Sequence, residues 1–190
     1  MTHPDTLDPI SLIMEDVGEL GVSLYVGNHL AMNNEAGTLL GNGITAVVNC
    51  TLEIHIDRPI LGIEYMTVGF YDGFRNQTTE LAAAVYTLNQ MLSKRPPAYQ
   101  WDNYMAKNVL VACNKGHSRS VSVTSFYLCQ KYPERFTYDS AVEFVSGKRN
   151  YPEGPTEGMR KLAADLLAQI AKYGPNATLF TILPPLTSTS

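Results

Sequence analysis

Cys113 and Arg119 stand six positions apart in the stretch CNKGHSRS, with Gly116 and Ser118 between them and Ser120 directly after. A thiol and a guanidinium brought to one turn can do nucleophilic chemistry on an anion. The residues before the turn, Val109 to Ala112, read as a buried strand, and the apolar run Val121 to Leu128 reads as a helix too deep to show a clean polar face. A strand that turns abruptly into a helix leaves the first N–H groups of that helix unpaired and aimed at one point, where they and the helix dipole favour an anion. A phosphate fits that description. The planar fork of Arg119 can hold two phosphate oxygens at once, and Gly116 permits the positive φ that so tight a loop needs. The same field favours thiolate over thiol, so Cys113 is expected to be ionised and nucleophilic at neutral pH. Asn114, Lys115, Gly116, His117, Ser118 and Arg119 then make up the phosphate-binding loop.

The spacing Cys-x5-Arg occurs a second time, from Cys129 to Arg135 in CQKYPER. That copy has no Gly, carries a Pro and begins where a helix is ending, so no strand delivers its sulfur. The first copy has strand, Gly-containing turn and buried helix in order. CNKGHSRS, with VLVA before it and an apolar helix after it, resembles the signature loop of the cysteine-dependent phosphatases, specifically the dual-specificity protein phosphatase family. SLYVGN at residues 23 to 28, ITAVVNC at 44 to 50, a strand ending shortly before Asp72, and the C-terminal helices fall where that family would put them. The resemblance covers roughly residues 20 to 172.

The resemblance implies attack by Cys113 on a phosphomonoester through a phosphocysteine intermediate, without metal or organic cofactor. Its general acid would come from the loop GFYDGFRNQ, which supplies Asp72, and the same carboxyl could later activate water. The Ser120 hydroxyl can donate to the sulfur and make it a better leaving group, while Ser118 ties the loop backbone or is solvated. Asn49 could hold the phosphate loop from the neighbouring strand. Cys50, at the end of that strand, is a redox partner for Cys113 by analogy with some phosphatases of the superfamily, or else a small buried hydrophobe. One departure is Ala112, where the family usually has a His that helps order the loop. Lys115 and His117 are another, because basic side chains there resemble loops that act on inositol phosphates. They would add one full and one titratable positive charge at the rim. The leading substrate is a phosphoprotein carrying phosphotyrosine or phosphoserine/phosphothreonine. The alternatives are an inositol polyphosphate or phosphoinositide, or a non-catalytic phosphate-binding module.

Composition agrees with one soluble globular phosphatase domain over residues 1–190, with a core at about 20–172, a flexible N-terminal arm and a flexible C-terminal tail. The chain is 45% hydrophobic and 17% charged, enough for a sizeable core. A formal charge of −4 argues against a broad nucleic-acid or anionic-membrane surface. Three Cys without paired spacing fit a reducing, cytoplasmic compartment and neither a disulfide framework nor a zinc site. No cleaved secretory signal and no span long enough for a bilayer is read.

The remaining elements must position this chemistry. Strands are expected at Val22 to Val26, Ile44 to Cys50 and Ile63 to Val68, with a half-exposed strand through Glu53, His55 and Asp57. Helices are expected at His29 to Leu40, through AAAVYTLNQML, at Tyr138 to Gly147 and at Glu157 to Lys172. Alternating strands and helices predict an α/β fold with a mainly parallel central sheet flanked by helices on both sides. Ligands bind beyond the carboxyl ends of such strands. Loops after Cys50, Val68 and Ala112 then lie at the active end, and Trp101 enters from the opposite end as a packing residue.

Overall fold

The structure, a computed structural model, describes residues 8–17, 21–56, 58–93 and 108–182. Its strands are β1 (Ile10–Val17), β2 (Val22–Gly27), β3 (Ile44–Thr51), β4 (Glu64–Phe70) and β5 (Asn108–Ala112). Helices α1 (His29–Met32) and α2 (Thr38–Gly41) precede β3, α3 (Thr78–Ser93) follows β4, and α4 (Arg119–Lys131), α5 (Tyr138–Lys148), α6 (Glu157–Ala171) and α7 (Leu179–Ile182) follow β5. Among the described residues the sheet runs β1-β2-β5-β3-β4. Only the β1–β2 pair is antiparallel. The mainly parallel sheet with helices on both sides is therefore as predicted.

Strand β5 lies at the centre, buried on both faces. Val109, Val111 and Cys113 face one apolar cluster, together with residues of α3 to α7. Leu110 and Ala112 face the other, with Ala31 and Met32 of α1 and Leu39 of α2. This is the period-2 alternation of a strand between two layers. Helix α4 is buried from Arg119 to Gln130, its serines and Thr124 included. The end of β5 thus delivers Cys113 to the middle of the sheet's carboxyl edge, where α4 begins.

Four expectations need correction. The arm is not wholly irregular, because Ile10–Val17 pairs with β2 as an edge strand; Ile13 and Val17 supply the buried side chains that hold it there. The helix expected over His29 to Leu40 is broken into α1, a 3-10 turn (Glu35–Gly37) and α2, with Asn34 and Gly37 at φ of 56° and 72° in the left-handed region. The strand through Glu53 and His55 is absent. Asn49 Nδ2 instead donates to the Ile54 carbonyl at 2.9 Å, and Asn49 Oδ1 accepts from Thr51 N and Oγ1, so the chain closes into a turn. Lastly, the tail from Gly174 is not loose throughout: Leu179 is buried and its N–H donates to Gln130 Oε1 at 2.7 Å. Trp101 and Asp57 lie outside the described residues. Among the described residues no helix is long and apolar enough to cross a membrane.

At Gly27 the last residue of β2 passes tightly between layers. A Cβ there would lie 2.7 Å from the Pro9 carbonyl oxygen, 3.0 Å from Leu110 Cδ1 and 3.1 Å from Ala31 Cβ. Gly27→Ala should therefore cost about 1–3 kcal/mol of stability through overpacking, a fall of roughly 2–12 °C in Tm for a chain of this size. Gly41→Ala, where an added methyl meets nothing within 4 Å, should leave Tm nearly unchanged. Equal shifts in thermal unfolding would contradict this packing account.

Candidate active site

The loop from Cys113 to Ser118 is held from outside by its carbonyls. His29 N donates to the Asn114 carbonyl at 3.1 Å and His29 Nδ1 donates to the same oxygen at 2.9 Å. Arg149 Nε donates to the Gly116 carbonyl at 3.0 Å, while its Nη1 donates to the Asp8 carbonyl and Ser11 Oγ. In a planar trans peptide the C=O and the following N–H point in opposite directions. Outward carbonyls at Asn114 and Gly116 therefore turn the N–H groups of Lys115 and His117 inward, toward the sulfur. Gly116 sits at φ 74°, and a Cβ there would lie 2.7 Å from the Gly27 carbonyl oxygen. The loop needs glycine twice over, for conformation and for space.

At the floor, Cys113 Sγ lies 3.1 Å from Ser120 Oγ, both buried. Arg119 forms the wall and is only 2% exposed. Its Nη2 meets Glu53 Oε1 at 2.6 Å, and its Nη1 donates to Glu53 Oε2 at 2.8 Å and to the Phe70 carbonyl at 3.0 Å. Among the described residues its buried Nε has no partner. A buried, unpaired donor on a cation is costly unless an anion arrives to meet it. Burial works against the guanidinium's charge, but the Glu53 hydrogen bond and the nearby Cys113 outweigh it, so its pKa is raised. The same hydrogen bond, ahead of other effects, lowers the pKa of Glu53.

On the facing side, Ser118 Oγ donates to Asp72 Oδ1 at 3.2 Å and accepts from Thr156 N at 3.2 Å. Asp72 is exposed. Its loop is cross-braced by Asn76, whose Oδ1 accepts from Tyr71 N at 2.8 Å and whose Nδ2 donates to the Tyr71 and Gly73 carbonyls. The loop is seated on the first turn of α6 at Gly158, where a Cβ would lie 2.6 Å from the Gly73 carbonyl oxygen. Cys113, Arg119, Ser118, Ser120 and Asp72 are thus brought together.

Other expected residues lie differently. Asn49 does not touch the phosphate loop; it ties the Thr51–Ile54 turn that presents Glu53. Ala112 is packed in the core, and an imidazole reaches the loop from His29 instead. Lys115 is exposed, but His117 stacks on Tyr151 with ring centroids 4.1 Å apart. Burial, opposed by Asp72, lowers the His117 pKa below its ordinary value, which disfavours its charged form. Cys50 follows the Asn49–Ala112 pair of the β3–β5 ladder. It is free and buried, and burial first, then Cys113, raises its pKa well above the usual thiol value. Among the described residues no group of three His, Cys, Asp or Glu side chains is gathered as for a metal ion.

No protein-family model and no curated protein matches the chain. Solved structures do. The Yvh1 phosphatase domain from Chaetomium thermophilum superposes with a TM-score of 0.65 at 23% identity, covering 88% of this chain and 100% of that one. A mouse putative dual specificity phosphatase gives 0.64 at 21%, with 87% and 90% covered, and human DUSP28 gives 0.61 at 17%, with 85% and 95% covered. The chain has the dual-specificity phosphatase fold. Within that fold, sequence reasoning missed Glu53, Arg149, Thr156 and Gly158. Glu53 had one readable signal, its place in the loop after Cys50 at the active end of the sheet.

Glu53 sets how Arg119 presents its free Nε. Because its pKa is lowered on folding, the stability from this pair is present above the ordinary Glu range and is lost only as pH falls through the lower folded value. Glu53→Gln should weaken binding of inorganic phosphate by roughly tenfold at neutral pH. Its effect on Tm should be small, since the Glu53 side chain is 46% exposed. Unchanged phosphate affinity in calorimetric titration would remove Glu53 from this role.

Proposed function

We propose that the protein hydrolyses phosphomonoesters through a phosphocysteine, with phosphorylated proteins as substrates. The observation that carries this reading is the buried, unpartnered Nε of Arg119 in a loop that also turns N–H groups inward above Cys113. Three donors then face one point, matched to the equatorial oxygens of a phosphoryl group. The Cys113 thiolate attacks phosphorus, the P–S bond forms and the P–O bond to the alcohol or phenol breaks. Asp72 gives its proton to the departing oxygen. Water, deprotonated by the same carboxylate, then attacks the phosphocysteine; the P–S bond breaks and inorganic phosphate leaves. Ser120, 3.1 Å from the sulfur, donates to Sγ as negative charge returns to it.

A phosphoprotein is better supported than an inositol polyphosphate. Several phosphates would need several cations, and within the loop only Lys115 is exposed, while His117 is half-buried and stacked on Tyr151. A module that only binds phosphate has no use for a serine against the sulfur or a carboxyl braced beside it.

Cys113→Ser should abolish turnover of an aryl phosphate yet keep phosphate binding, because Arg119 and the loop amides remain while a hydroxyl is too weak a nucleophile. Turnover above a few per cent of wild type would exclude Cys113 as the nucleophile. Asp72→Asn should slow turnover by roughly 10²–10⁴, most for poor leaving groups. Gly158→Ala, which must displace the backbone at Gly73, should show the same leaving-group sensitivity in weaker form. If both variants lose equally on good and poor leaving groups, the acid is another residue.

A further inference from the structure

Beside the Arg119 clamp lies a cavity of about 510 Å³, lined by Leu52, Ile54, His55, Ile56, Tyr65 and Thr67 among others. Its walls are preformed. Asn49 and Thr51 tie the turn that carries Leu52 and Ile54, and the Ile60 N–H donates to the Tyr65 hydroxyl at 3.3 Å. The same tied turn offers Glu53 to Arg119, so the cavity and the phosphate loop share one rigid element. Leu52, one of the lining residues, is 45% exposed.

Tyr65 and Thr67 belong to β4, which ends the strand order and among the described residues pairs only with β3. Natural edge strands are usually guarded by Lys, Pro or bulges. β4, EYMTVGF, carries none of Lys, Arg or Pro and is regular in register from Glu64 to Thr67, with one irregularity against β3 before Phe70. Its far end is Phe70, whose carbonyl accepts from Arg119 Nη1. An extended chain laid along this edge is therefore led from the cavity to the phosphate loop. At about 3.3 Å per residue, the stretch from Tyr65 or Thr67 to Phe70 corresponds to roughly three to five residues of such a chain.

We infer that the outer edge of β4 and the adjoining cavity form a substrate subsite for an extended segment of a phosphoprotein, with one apolar side chain of that segment filling the cavity. The inference rests on the phosphatase reading and names what its substrate carries besides phosphate. Backbone pairing supplies affinity and the cavity supplies selectivity, as in other strand-addition complexes. A polypeptide is favoured over an acyl chain because the edge offers backbone hydrogen bonds that only another backbone can match.

The test uses peptides with one phosphotyrosine and either Leu or Asp placed three, four or five residues to each side. Binding is measured on Cys113→Ser and kcat/KM on the wild type, with an aryl phosphate as control. Leu should improve binding over Asp by about tenfold at one offset. Thr67→Trp, and separately His55→Trp, should fill the cavity and abolish that preference while leaving aryl phosphate turnover unchanged. Absence of any preferred offset, or a preference that survives both fillings, overturns the inference. So does binding of phosphoinositide vesicles, or self-association, that Thr67→Trp abolishes in place of peptide binding. Peptide preference on Cys113→Ser without turnover by the wild type would sink the phosphatase reading and overturn the substrate role, leaving a phosphopeptide-binding edge in its place.

Discussion

The site depends on where two carbonyls point. Held outward by His29 and Arg149, the Asn114 and Gly116 carbonyls force the next N–H groups inward, and a loop with little internal hydrogen bonding becomes a rigid anion cradle. The partners come from both sides of the loop in sequence, one in α1 and one just after α5. Arg149 is itself only 2% exposed and joins the loop to Asp8 and Ser11 at the edge of the sheet. The short edge strand β1 thus supports the Cys113–Arg119 turn although it contributes no side chain to it.

A second constraint is electrostatic. A buried guanidinium needs compensation, and Glu53 provides it through two short contacts while leaving Nε uncommitted. The bidentate pair fixes the plane of the fork before any substrate arrives, which reduces the reorganisation left for the reaction itself. Asp72, the acid of the proposed mechanism, is held in a similar way. Asp72 is fixed by Ser118, by the Asn76 brace and by close packing on Gly158, so the phosphate loop, α6 and the acid loop form one body.

The sequence was most legible where signals are local. Val109 to Ala112, Gly116 and the apolar run of α4 each announce themselves within a few residues, and the strand–turn–helix unit they predict is present. Chain order also placed Asp72 beside Cys113, because both follow parallel strands that end at one edge. Glu53 and His55 misled because alternation of polar and apolar residues suits a strand, whereas Asn49 and Thr51 close the turn through side chains that periodicity does not weigh. Edge strand β1 escaped because its register is interrupted twice and Asp16 lies at φ 53°. Arg149 lies 33 residues from Gly116 and 141 from Asp8, and no spacing rule reaches that far. The stacking of His117 on Tyr151 is out of reach of local spacing for the same reason, since Tyr151 comes from another part of the chain.

The most direct measurement is identification of the covalent intermediate. Rapid acid or denaturant quench of the wild-type protein during turnover of a phosphomonoester, followed by peptide mapping by mass spectrometry, should find phosphate on the Cys113 thiol within the first turnover. Phosphate on any other residue, or multiple turnovers with no phosphorylated protein at any time in the burst, would contradict the account.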